Sequence, residues 1–288
     1  MGVLKVGNGW YFFYIALAIL LTVGGYFLLR KRSKKFIYYF ILGLTILNFV
    51  IHFCKMLLPE YRIDYPMIWR HVTFTNICAA SVLLFPFIHL SKSKVLKDYI
   101  VMISLIGGLA AWFVPTGAWN YPPFRLETIR FYAEHILLFV CALYTLVFKI
   151  HVPSYKRFWI MPITFFGVLG LIFANEVVLR AAGFTEQTLE DMLFDRTQRN
   201  SLFLFGPRPE VEKLFTPITA IVPNFMKRGL GYRSGQEFYW PWVWLLVPIM
   251  TYGELAVHAI GFIWGWKELK DDLQKKKQTK IEELAKEQ

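Results

Sequence analysis

Residues 10–29 read WYFFYIALAILLTVGGYFLL, an apolar run without one charged side chain. A helix needs about 20 such residues to cross the hydrocarbon of a bilayer. Arg30, Lys31 and Arg32 follow, and no small-residue cleavage site is present, so the run reads as an uncleaved spanning helix and not a removed signal peptide. Further stretches of the same kind lie at 36–58, 68–90, 98–115, 128–148, 158–179 and 238–266. The expected fold class is all-α, a polytopic membrane helix bundle of about seven transmembrane helices.

Composition agrees. Of 288 residues, 56% are hydrophobic and only 18% charged, where an average soluble domain has about 25% charged. A soluble chain of this length cannot bury so much apolar surface. That excludes a soluble globular enzyme, a disordered protein and a disulfide scaffold; Cys54, Cys78 and Cys141 form no CxxC pair. A net charge of +12 would suggest nucleic acid in a soluble chain. Here it follows from loops facing an anionic leaflet, so the expected partners are membrane lipids and not nucleic acid, with the oligomeric state left open.

Basic residues set the orientation. Arg30, Lys31, Arg32, Lys34 and Lys35, then Lys92, Lys94 and Lys97, then Lys149, Lys156 and Arg157, and finally the lysine-rich tail fall on alternate connections. The other short connections hold Lys5, Arg62 and Arg125. The expected topology is N-outside, C-inside, multi-pass in the cell membrane. The transmembrane bundle takes residues 1–266, including an extracellular cap or re-entrant segment at 182–237, where Pro207, Pro209, Pro217 and Pro223 forbid one continuous helix. Residues 267–288 form a charged cytoplasmic tail, read as a solvated helix.

Ionisable groups inside a bilayer are costly, and each is a functional candidate. On this topology His52 and Lys55 end the second span, and Arg70, His71, Thr73, Thr75 and Asn76 begin the third. Arg130, Glu134 and His135 begin the fifth, and Asn175, Glu176 and Arg180 end the sixth. All four sets then share the outer half of the membrane. Spacing adds that Arg130 with Glu134, and Glu176 with Arg180, can each compensate internally, and that Thr75 follows His71 on one helical stripe. Lys55, Arg70, Arg130 and Arg180 also suit snorkelling or structural pairing, and Asn76 and Asn175 suit interhelical hydrogen bonds. Glu254 and His258 can bond to each other, and Gly261 with Gly265 forms a GxxxG packing signal. No HExxH, GxSxG, P-loop or GxGxxG motif is present. His52, His71, Glu134, His135 and Glu176 are chemically able to hold zinc, but their spacing does not demand it, so no metal or cofactor is assigned.

At Thr75-Asn76-Ile77-Cys78-Ala79-Ala80, with a basic SKSK loop after it, the chain resembles the YwaF family of bacterial integral membrane proteins. Pro123-Phe124-Arg125, Phe131-Tyr132-Ala133-Glu134-His135, Asn175 and Asn200-Ser201-Leu202-Phe203-Leu204 extend the likeness over most of 40–265. That family is similar to a eukaryotic transmembrane acyltransferase that remodels ether phospholipids with a third-helix cysteine. More distantly it resembles androgen-induced-gene hydrolases, which pair a membrane threonine with a histidine. The resemblance implies that His135 is the family histidine and that Thr75 stands where the cysteine is expected. Thr73 stands at the place of a second family histidine, and Cys78 lies three residues past the cysteine position.

The resulting expectation is lipid acyl chemistry, by a membrane acyltransferase or a lipid ester hydrolase. Thr75 is the nucleophile, His135 its general base, and Glu134 or Glu176 the group that orients the imidazole. Arg70 or Arg130 binds a lipid phosphate, with His71, Asn76, Asn175 and Glu176 around the substrate. The alternative is a transporter or lipid-binding channel that uses the same polar pocket without chemistry, with Pro86, Pro162 and Pro248 breaking helices. A third reading is a purely structural membrane protein.

Overall fold

A computed structural model describes residues 2–62, 68–200, 202–209, 212–227 and 237–287. The fold is all-helical, 73% helix, with no strand among the described residues. Parts of the 182–237 segment, including Ser201 of the family likeness, lie outside the described residues.

Five helices are long and apolar enough to cross a membrane, or six if a bent C-terminal pair counts as one span. They are α1 (Gly9–Leu29), α2 (Lys34–Phe53, extended by a 3-10 turn to Leu57), α6 (Lys94–Phe113), α7 (Leu126–Val147) and α8 (Ile160–Ala181). α1 starts at Asn8 and α2 at Ser33, whose side chains accept from Tyr11 N and Phe36 N and so satisfy otherwise unpaired amides. α1 leaves Phe12, Ile19, Leu20, Phe27 and Leu28 exposed, the apolar surface that a bilayer covers.

The count is lower than the expected seven because two stretches are broken. After the short α3 (Pro59–Arg62), the stretch 68–90 divides into α4 (Ile68–Val72) and α5 (Ile77–Leu90). The cause is local. Thr73 Oγ1 donates to the Trp69 carbonyl at 2.8 Å, and Thr75 N donates to the Thr73 carbonyl at 2.9 Å. Asn76 is extended (φ −155°, ψ 174°), and its Oδ1 accepts from Ala79 N at 2.9 Å. A residue so placed starts a helix; it does not continue one. At 1.5 Å per residue α5 is about 21 Å long, short of the roughly 30 Å hydrocarbon. Thr75 therefore does not share a helical stripe with His71.

The stretch 238–266 is broken as well. Trp242 is left-handed (φ 47°), and α12 (Leu246–Pro248) leads into a π-helical turn at Ile249–Gly253. α13 (Glu254–Glu287) then runs past 266 through the tail, and the chain bends by 69° between Val243–Ala259 and Gly261–Thr279. The 182–237 segment contains α9 (Leu189–Phe194), α10 (Glu212–Ala220) and α11 (Asn224–Lys227). There Arg199 is fully buried and donates to the Leu193 and Pro207 carbonyls at 2.9 and 3.1 Å.

α7 is the centre of the bundle, packed on α6, α2, α1 and α5. Gly108 of α6 sets the closest approach: a Cβ there would lie 2.9 Å from the His135 carbonyl oxygen and from Phe139. Backbone cannot yield as a side-chain tip does. Gly108→Leu is therefore expected to force α6 from α7 and cost about 1–3 kcal/mol, read as a lower thermal midpoint in detergent. Gly261 and Gly265 face Phe158 and Tyr155, so the GxxxG pair is a packing groove.

Candidate functional site

α2 and α7 join through charge. His52 Nδ1 lies 3.3 Å from Glu134 Oε1, and Asn48 Nδ2 donates to the Glu134 carbonyl at 3.1 Å. Arg130 forms an ion pair with Glu134 one turn on and donates its Nε to Glu127 Oε2 at 2.6 Å. Lys55 Nζ lies 3.5 Å from His52 Nδ1 and donates to the His71 carbonyl at 2.9 Å. Two carboxylates thus face one guanidinium and one ammonium, so the cluster is formally neutral around His52. All of these groups are buried or nearly so, where an unpaired charge would be severely destabilising.

The cluster also holds the chain between α2 and α5. Tyr61 OH donates to Glu127 Oε1 at 2.6 Å, and its ring lies 4.8 Å from that of His71. Burial pushes the Tyr61 phenol up and the Glu127 carboxylate pushes it further, so it stays protonated and donates.

A second group joins α4 to α8. Arg70 Nε lies 3.3 Å from Glu176 Oε2, and Asn175 Nδ2 donates to Thr73 Oγ1 at 3.1 Å. Glu176 thus takes a partner on another helix, not Arg180 four residues along. Asn175 makes the interhelical bond its type suggests, whereas the Asn76 side chain caps α5.

His135 is buried beside α6. Its Nδ1 lies 2.7 Å from the Phe131 carbonyl, and its ring lies 4.3 Å from the Phe131 ring. A carbonyl only accepts, so the proton sits on Nδ1 and Nε2 carries the lone pair. Among the described residues no hydrogen bond joins His135 to Thr75 or to Glu134. The Glu134 carboxylate contacts His52 instead. Cys78, in the first turn of α5, has its Sγ against Gly107 and lies within electrostatic reach of Glu134 and Lys55. The adjacent glycines 107 and 108 therefore bring Cys78 and the His135 backbone to one level of α6.

The side chains expected to share one chamber thus form two groups bridged by α4, with Thr75 in the break between α4 and α5. His52 and Lys55 join as one of the four expected polar sets, and Asn48, Tyr61, Glu127 and Cys78 join this region without having been expected at the site. The signal for two of them was present: Asn48 and His52 are four apart on one helix, and Glu127 precedes Arg130 by three. Cavities of about 270 and 280 Å³ lie elsewhere, one beside Glu212, Lys227 and Tyr239 and one between α1 and α7 at Tyr26 and Tyr144. Among the described residues no three of His, Cys, Asp and Glu gather as a metal would require.

Apolar spans packed around buried ion pairs define a multi-pass helical membrane protein. The sequence profile of the TMEM164 family matches residues 6–215. The chain belongs to that family, a family of transmembrane proteins. No curated protein and no solved structure matches it.

Proposed function

We propose that this protein carries out lipid acyl chemistry in the cell membrane, as an acyltransferase or an ester hydrolase, with its N-terminus outside and the polar cluster in the outer half. The observation that carries the reading is the arrangement about Gly107 and Gly108. A thiol on α5 and the backbone carbonyl of His135 on α7 flank successive glycines of α6, beside a compensated ionic cluster, and the His135 ring keeps an Nε2 lone pair. The resemblance to YwaF proteins and a lipid-remodelling acyltransferase supports the same chemistry. Two nucleophiles fit. Thr75 occupies the expected position in the sequence. Cys78 is favoured by its place against Gly107 and by the greater intrinsic nucleophilicity of sulfur. His135 Nε2 takes the proton in either case.

Arg70, whose contacts with Glu176 are long at 3.3 and 3.4 Å, supplies a guanidinium for a lipid phosphate, Arg130 being held by Glu127 and Glu134, and His71, Asn76, Asn175 and Glu176 border the approach. The broken stretch at 73–76 also suits a transporter, whose discontinuous helices frame a binding site. Turnover of a fluorescent-acyl phospholipid by the purified full chain in nanodiscs decides between them. His135→Ala is expected to lower the rate by about 10² to 10⁴-fold, and either Thr75→Ala or Cys78→Ala is expected to abolish it. Undiminished turnover in all three variants excludes this site. Substrate flux across vesicles without ester cleavage supports transport.

A further inference from the structure

The cavity beside Glu212, Lys227 and Tyr239 has walls that follow from local sequence. Glu212, Thr216 and Thr219 recur at helical spacing and share one face of α10, while Phe215 and Ile218 pack on Val222, Tyr239 and Trp244. Lys227, the last residue of α11, donates its Nζ to the Thr219 carbonyl at 2.8 Å. Residues 237–239 run beside α11: Phe238 N donates to the Lys227 carbonyl at 2.9 Å, and Trp240 N to the Met226 carbonyl at 3.1 Å.

Charge divides across this cavity. Arg196 serves two carboxylates, with Nη2 2.7 Å from Glu212 Oε2 and Nε 3.7 Å from Glu237 Oε2. Tyr239 OH adds a donor to Glu237 Oε1 at 3.3 Å. Glu212 is closely paired and Glu237 only loosely, so one carboxylate charge is in excess at that end. Thr219 stands two turns past Glu212, about 10 Å along α10 at 1.5 Å per residue. The Lys227 ammonium there has three N–H groups, spends one on the Thr219 carbonyl, and meets no carboxylate among the described residues. The Thr216 and Thr219 hydroxyls donate to the Glu212 and Thr216 carbonyls at 3.4 and 3.2 Å, which leaves their lone pairs as acceptors.

The volume of about 270 Å³ is far above the roughly 10–15 Å³ that a single water needs. It falls short of the roughly 300–1,000 Å³ of a pocket for a drug-sized ligand, so it suits a headgroup and not a whole lipid. A polyanion would meet two carboxylates and a simple cation would meet Lys227. A zwitterion meets neither obstacle. A quaternary ammonium donates no hydrogen bond to Glu237, whereas a primary ammonium has three to give. Phe225 and Trp240 are exposed next to the cavity, and Trp240 Nε1 donates to the Phe225 carbonyl at 3.1 Å. Aromatic side chains so placed settle in the headgroup layer of a bilayer.

We propose that this cavity binds a phosphoethanolamine group carried by a membrane phospholipid, with its primary ammonium on Glu237 and its phosphate on Lys227. The site is separate from the acyl chemistry proposed above and stands without it.

The test uses the full chain in detergent, with bound phospholipid counted by native mass spectrometry. Ethanolamine, choline and glycerol phospholipids with the same tails compete for it. The ethanolamine lipid is expected to bind about tenfold more tightly than the other two. Glu237→Gln and Lys227→Met are each expected to weaken it by about tenfold, and Lys227→Arg to retain it. Should one of the first two fail to fold, the other carries the test. Free O-phosphoethanolamine that binds as tightly as the lipid overturns the lipid as its carrier and assigns the cavity to the soluble ester; weaker displacement supports the headgroup. Equal binding of the three lipids, or native binding of the ethanolamine lipid in Glu237→Gln and Lys227→Met, overturns the site.

Discussion

Glu134→Leu is expected to destabilise the protein by about 3–5 kcal/mol, because it removes one side of a buried ionic contact and leaves the other side uncompensated. Three side chains depend on that carboxylate: His52 through Nδ1, Arg130 through its guanidinium, and Lys55 through the field it shares with them. Glu134→Gln keeps an acceptor oxygen but not the charge, and is expected to fall between the native chain and Glu134→Leu. Replacing Glu134 and Arg130 together by leucine is expected to recover part of the loss, since removing both ions strands less charge than removing one. Thermal unfolding in one detergent at two salt concentrations checks the series. The effect should change little with salt, because buried pairs are poorly screened. A loss below about 1 kcal/mol, as for an exposed pair, would mean that water reaches this cluster.

Asp98→Ala is expected to have a comparable effect at another place. Asp98 is fully buried in the second turn of α6. It contacts His151 Nε2 at 2.5 Å and accepts from Arg157 Nε at 2.6 Å and Nη2 at 3.2 Å. One carboxylate therefore ties the α7–α8 connection to α6, and losing it strands Arg157 at a cost of about 3–5 kcal/mol. The consequence reaches α13. Ser154 Oγ donates to Glu268 at 2.9 Å and Tyr155 OH to Asp272 at 2.8 Å, from the same connection. Hydrogen exchange across 254–272 is therefore expected to quicken in Asp98→Ala. Asp272→Ala, at the half-buried end of that contact, is expected to quicken exchange locally and leave the thermal midpoint in place. Equal losses in the two variants would contradict this division between a fully buried and a half-buried acid.

The spanning helices were legible because hydropathy is a local property: the runs at 10–29, 36–58 and 128–148 correspond to α1, α2 and α7. The gathering of polar groups from separate helices was also legible, since charge inside a bilayer must find charge. The stretch 68–90 was misjudged because its mean hydropathy hides a capping asparagine. Thr73-Phe74-Thr75-Asn76 carries the local hydrogen bonds that end one helix and start the next. The last stretch was misjudged at both ends, since a left-handed Trp242 and a π-helical turn leave apolarity unchanged.

Spacing along one helix determined the Arg130–Glu134 pair and the contact of His258 with Glu254 at 3.4 Å, because neighbours one turn apart meet wherever the helix lies. The same rule applied to Glu176 and Arg180, yet Glu176 meets Arg70, and the Glu134 carboxylate contacts His52 on a distant segment and not the adjacent His135. Those choices belong to the packing of α4 on α8 and of α2 on α7. Sequence alone settled which segments are apolar and where polarity interrupts them. Which buried ions meet across helices was decided by the tertiary structure, because desolvated charge pairs with whatever opposite charge the packed helices bring nearest, whatever the separation along the chain.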